Sequence, residues 1–207
     1  MQAEQAPLLR VLLLQENTPS IFDNYSPKRN QQSWSAYLEL TRRAAAEYAS
    51  KDPIDLVVWP ESTFTANEPW VEADVSRGLP PELKSEQVDQ DRLLSIVSDM
   101  QRALSWKALM VIEAVRSPAL ADNESTLDSA NAVVPSKATE AIPTWPYLLV
   151  GNDVWIYTSE RVERYNSALW IGPDGRLLDR YSKMHLVMFG EYIPLGPLLQ
   201  WLRDLVG

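Results

Sequence analysis

The sequence predicts an α/β domain, and three observations carry that expectation. Two short apolar runs, Arg10 to Gln15 and Leu56 to Trp59, flank a stretch of helical periodicity. An Asp-Gly pair, Asp174-Gly175, sits between two further strand-like runs. The 207 residues are 45% hydrophobic and 23% charged, enough apolar material for one domain with a real core. Strand–helix–strand order of this kind places functional groups at strand ends.

Taken in order, Arg10 to Gln15 reads as a buried strand with a polar end. Asn17 to Asn30 carries two prolines and several turn formers and reads as a loop. Trp34, Tyr37, Leu38, Thr41, Ala45 and Tyr48 recur at helical spacing, with Ser33 as the expected N-cap and Pro53 as the stop. Leu56 to Trp59 is the second strand and runs into Pro60-Glu61-Ser62. Thr63 to Gln87, with several prolines, reads as an irregular loop. Leu93, Ile96, Val97, Met100 and Leu104 mark one face of a helix that begins near Asp89. Leu109 to Ile112 fits either a strand or the end of that helix, since short apolar runs do not decide between them. Ser117 to Pro146 is rich in Ala, Ser, Asn, Asp and Pro and reads as a surface insertion. Tyr147 to Gly151 is another strand. Ala168 to Ile171 and Arg176 to Tyr181 form a hairpin around Asp174-Gly175, and Leu198 to Val206 begins a last helix.

Composition removes several function classes. A net charge of -9 argues against a nucleic-acid partner. There is no cysteine, which excludes disulfides, thiolate metal sites and a cysteine nucleophile within these residues. A single histidine, His185, leaves no His-rich metal site and makes a Ser-His-Asp triad improbable. No metal or cofactor is expected. No apolar run approaches the roughly 20 residues that span a bilayer, and Met1 to Pro7 lacks the basic and apolar parts of a signal peptide. By itself the chain is expected to be soluble.

Glu61 follows a buried strand directly. Pro60 fixes its own φ and biases Trp59 toward extended geometry, so the carboxylate leaves the sheet in a defined direction. A carboxylate at a partly apolar strand end can serve as a general base; a solvated turn glutamate is the plainer alternative. Lys183 follows the last strand of the hairpin, where an ammonium can stabilise an oxyanion, although isolated lysines after strands are usually solvated. Glu191 lies in Phe189-Gly190-Glu191-Tyr192-Ile193-Pro194. A charge among such apolar neighbours needs a partner if buried, and Lys183 is the nearby cation. A structural salt bridge is the plainer alternative, and it stays open even if the pair is buried.

The segments Val57 to Ser62, Tyr165-Asn166-Ser167-Ala168 and Tyr181 to Pro194 occur in that order. Together they resemble the nitrilase (carbon-nitrogen hydrolase) superfamily. The string Lys183-Met184-His185-Leu186-Val187-Met188-Phe189-Gly190-Glu191-Tyr192 is similar to the apolipoprotein N-acyltransferase branch. The resemblance covers nearly the whole chain apart from Ser117 to Pro146 and makes residues 1–207 a single partial domain. It implies a four-layer αββα sandwich, incomplete at the C-terminal end. It implies a Glu-Lys-Cys centre in which Glu61 is the general base, Lys183 the oxyanion stabiliser and Glu191 a supporting carboxylate, all three meeting at one site. His185 is assigned no catalytic role.

The same resemblance implies a reaction and a location. A phospholipid donates an acyl chain to the enzyme's cysteine, and the thioester passes it to the α-amino group of a diacylglyceryl-cysteine lipoprotein. The implied setting is the bacterial inner membrane, held by segments absent here, with the domain on the periplasmic face. Three departures stand out. Met188 replaces the family's usual proline, the family's cysteine falls beyond Gly207, and its N-terminal membrane helices are missing, as expected of a chain truncated at both ends. The alternatives are a soluble nitrilase-type amidase and a catalytically inactive fragment or binding module.

Overall fold

The computed structural model describes residues 8–16, 27–48, 53–61, 63–64, 68–83, 88–118 and 146–184. Strand β1 (Val11–Leu13) is followed by helix α1 (Pro27–Tyr48), β2 (Leu56–Trp59), β3 (Trp70–Asp74), a short 3-10 turn at Pro81–Leu83 and helix α2 (Gln90–Arg116). The chain then forms β4 (Tyr147–Thr158), β5 (Val162–Ile171) and β6 (Leu177–Ser182). The α/β class holds. Among the described residues there is one six-stranded mixed sheet with its helix layer, which is half of a four-layer stack.

The sheet runs β1-β2-β4-β5-β6, and β3 also pairs with β4. β4 is its axis: the first half pairs in parallel with β2, the second half in parallel with β3, and the whole strand antiparallel with β5. Alternation along each strand sends Val57, Leu148 and Ile171 to one face in a single cross-strand row, and Trp59, Val150 and Leu169 in another. These residues are buried against Trp34, Tyr37, Leu38 and Ala45 of α1 and Leu104, Ala108, Val111 and Ile112 of α2. A smaller cluster, Val71, Val75, Leu93 and Val97, joins β3 to the start of α2. On the opposite face Tyr147 stacks on Trp170 at 5.2 Å, while Val11, Leu13 and Tyr181 are exposed.

Several elements differ from the sequence expectation. Helix α1 begins six residues before Ser33, at Pro27, where the fixed φ of proline suits a first helical turn. Residues 70–74, expected as loop, form β3, whose backbone partner is the distant half of β4 and whose Val71 carbonyl accepts from Gln101 Nε2 of α2 at 2.8 Å. Pairing that is non-local leaves little trace in a segment reading Trp-Val-Glu-Ala-Asp. Leu109 to Ile112 belongs to α2, which starts next to Asp89 as expected; Asp89 is its N-cap, and its carboxylate accepts from Arg92 N at 2.7 Å. β4 continues seven residues past Gly151, because β5 pairs it as far as Tyr157 and β3 takes up its other edge from Val154 to Thr158. The hairpin turn is as expected. Gly175 adopts φ +77, and a Cβ there would lie 2.8 Å from Leu109 Cγ and 2.9 Å from Ser105 O, so the turn fits against α2 only with glycine. Most of the expected insertion and the expected last helix lie outside the described residues.

Candidate active site

Three chain segments bring polar groups together beside the middle of β4, where β2 ends and β3 begins along its edge. The first is the turn after β2. Trp59 is buried, rests on Tyr37 at 5.3 Å, and donates from Nε1 to Thr41 Oγ1 at 3.1 Å. Five residues on, Phe64 is fully buried and meets Trp59 edge-on at 5.6 Å. Its backbone N–H donates to Gly151 O at 3.2 Å, and Thr63 Oγ1 donates to Pro60 O at 2.8 Å. Two buried aromatics therefore fasten both ends of a short turn, and Glu61 stands at its apex, 58% exposed.

The second and third segments are adjacent strands. Asn166 on β5 faces Asp153 on β4 as its direct cross-strand partner. At the end of β6, Lys183 N donates to Asn166 O at 2.8 Å, which continues the ladder one step past the strand. From there the Lys183 ammonium lies 3.1 Å from Glu61 Oε1 and donates to it. The Asn166 side-chain amide donates to the same oxygen. Glu61 and Lys183, separated by 122 residues, thus meet. Glu191, His185 and Met188 lie outside the described residues.

The face behind this cluster is also tied. Ser167 Oγ and Ser182 Oγ are 3.1 Å apart, and Arg180 Nη1 donates to Ser182 Oγ at 3.2 Å. Arg180 also grips both oxygens of Glu72, at 3.0 and 3.1 Å, and Trp70 Nε1 donates to Glu72 Oε1 at 2.9 Å. Burial pushes the Glu72 carboxyl up, but the hydrogen bonds from Arg180 and Trp70 and the charge of Arg180 outweigh it and hold Glu72 below the usual carboxylate range. Residues next to Asn166 and Lys183 in sequence therefore lock β5 and β6 in register. On the far side of the Glu61 turn, Lys107 of α2 is nearly buried, with its ammonium 2.7 Å from Glu68 Oε2 and 5.7 Å from the centre of a Trp34 ring. That ion pair ties the segment after the turn to the helix layer.

Asp153 is a site neighbour that strand patterning did not reveal. Burial raises its carboxyl above the ordinary value, and the charge of Glu61 raises it further. A carboxyl whose folded pKa is raised contributes stability below its unfolded pKa of about 3.9, and loses it as pH rises through the folded value. Asp153→Asn is expected to melt higher than the parent at neutral pH, with the gap narrowing toward pH about 4. Thermal melts across that range check this; a gap that does not change with pH would remove the burial argument. Asn166 was visible in the sequence only as part of a motif, and nothing local to it signals that its amide reaches Glu61.

The carbon-nitrogen hydrolase family matches residues 23–206. The chain belongs to that family. Over its whole length it is 28% identical to a protein of Rhodopirellula baltica named apolipoprotein N-acyltransferase, of which it covers 33%. A protein of the same name from Haemophilus ducreyi is 28% identical over 57% of this chain and 28% of its own length. The chain therefore spans about a third or less of these relatives. Among solved structures, an amidase from Nesterenkonia sp. aligns over 88% of this chain and 45% of its own, with 16% identity and a TM-score of 0.38. Among the described residues no helix is long and apolar enough to cross a membrane, and no group of carboxylates and histidines is placed to hold a metal ion.

Proposed function

We propose that residues 1–207 are the larger part of the acyl-transferring domain of an apolipoprotein N-acyltransferase. The observation that carries this reading is the 3.1 Å contact of Lys183 Nζ with Glu61 Oε1, within a chain of the carbon-nitrogen hydrolase family. In this reading Glu61 takes the proton of a cysteine thiol supplied from outside these residues. The thiolate attacks the ester carbonyl of a phospholipid, and Lys183 meets the oxyanion. Collapse expels the lysophospholipid alkoxide, which takes the proton back from Glu61 and leaves a thioester. Glu61 then accepts the proton of the incoming α-amino group of a diacylglyceryl-cysteine lipoprotein. The amine displaces the thiolate, which is reprotonated, and the product is an amide. A thiol of ordinary pKa near about 8.5 needs such a base at neutral pH. Glu191 supports this site as a second carboxylate, and the setting is the periplasmic face of the inner membrane.

The test is acylation of the whole gene product, carried through its nucleophile, with phospholipid as donor and a diacylglyceryl lipopeptide as acceptor. Thioester is read by mass spectrometry. Lys183→Met, which keeps the length of the side chain and removes its charge, is expected to slow thioester formation by about 10²–10³-fold. Transfer by the 207-residue chain alone, which has no cysteine, would rule out the thioester route. A folded whole protein that cleaves simple amides and takes no acyl group from phospholipid would place it with the amidases instead.

A further inference from the structure

Glu61 has two oxygens, and the described donors are not shared between them. The Lys183 ammonium and the Asn166 amide both donate to Oε1. A carboxylate held in this way can present only its other oxygen to a reacting proton without breaking a charge-assisted bond. The amide orientation is fixed by its partner, since a carboxylate accepts and the NH2 end must face it. Asn166 also holds Lys183 from the backbone, because its carbonyl accepts from Lys183 N at 2.8 Å. A single β5 residue thus contacts both groups of the pair, one through its side chain and one through its main chain. Its own place is set by ten paired positions between β4 and β5. Nothing in the ladder requires a polar side chain at this position, so the amide is not explained by the sheet itself.

We propose that Asn166 is a positioning residue: with Lys183 it immobilises Glu61 Oε1 and so assigns Oε2 as the oxygen that exchanges protons with the nucleophile and the incoming amine. The proton-exchange half rests on the acyltransferase reading; the coupling of Asn166 to Glu61 does not. Two measurements separate them. In the 207-residue chain, the Asn166 side-chain amide signals are followed by NMR through the carboxylate titration range. One amide proton is expected to move downfield as Glu61 ionises, and the movement is expected to vanish in Glu61→Gln. In the whole gene product, Asn166→Ala is expected to slow thioester formation by about 10- to 100-fold, the range for losing a hydrogen bond to a charged group, with KM for phospholipid unchanged. Asn166→Asp keeps the shape and reverses the interaction, so it is expected to slow the step at least as much. An amide signal that ignores the ionisation of Glu61 overturns the coupling. Wild-type rates in folded Asn166→Asp overturn the positioning role. A wild-type whole protein that never forms a thioester defeats the acyltransferase reading and with it the assignment of Oε2, while the amide titration still decides whether Asn166 holds Glu61.

Discussion

Glu61→Gln is expected to reduce thioester formation in the whole gene product by about 10²–10⁴-fold while leaving the fold intact. Glutamine keeps the length of the side chain and one carbonyl oxygen, so Lys183 and Asn166 retain an acceptor where Oε1 now stands. What is lost is the oxygen that can take a proton. The loss should appear in the chemical step, with both acylation and deacylation affected, because in the proposed route the same carboxylate serves the thiol and later the amine. Glu61 is 58% exposed, so its replacement removes little packing and the melting temperature should move by no more than the small amounts typical of surface changes. Single-turnover mass spectrometry, with a thermal melt as control, distinguishes a lost base from a lost fold. Near-normal thioester formation in a folded Glu61→Gln protein would make the Glu61–Lys183 contact a structural ion pair.

Phe64→Ala is expected to be the most destabilising single change near the site, at about 3–5 kcal/mol. Phe64 is fully buried, packs on Trp59 and closes the turn through its backbone bond to Gly151. Removing the ring forfeits its transfer free energy and leaves a cavity between β2, β4 and the helix layer, whose other walls are held by α1 and α2. For a chain of this size the loss corresponds to a fall in Tm on the order of 10 °C. Urea unfolding should show a lower midpoint with an unchanged slope, since the surface exposed on unfolding is nearly the same. A loss below about 1 kcal/mol would mean that the turn is not fastened by the aromatic pair, and that Glu61 is held mainly from Lys183 and Asn166.

Much of the frame was legible in the chain. The run Leu56 to Trp59 is apolar throughout because β2 lies inside the sheet, between β1 and β4, and such runs read as strands with no knowledge of their partners. Asp174-Gly175 marked the hairpin because only glycine is comfortable at φ +77 beside α2. Glu61 and Lys183 were legible as candidates because each sits just past the end of a strand, the first of them apolar throughout, within a segment that resembles its family closely.

What the sequence by itself determined is therefore local: which segments are strands or helices by their period, and which side chains stand at strand ends. Only the tertiary structure decided the non-local terms. β3 exists because the distal half of β4 offers it a backbone edge, which no pattern in Trp70 to Asp74 announces. Asp153 and Asn166 became site neighbours through antiparallel register, a relation between residues 13 apart that neither one encodes alone. That Lys183 and Asn166 share one oxygen of Glu61 depends on three separate segments meeting to within a hydrogen-bond length. The physical reason is the range of the interactions. Propensity and periodicity act over a few residues of one chain segment, whereas register, burial and hydrogen bonding between distant segments are fixed only when the sheet and its helix layer pack together.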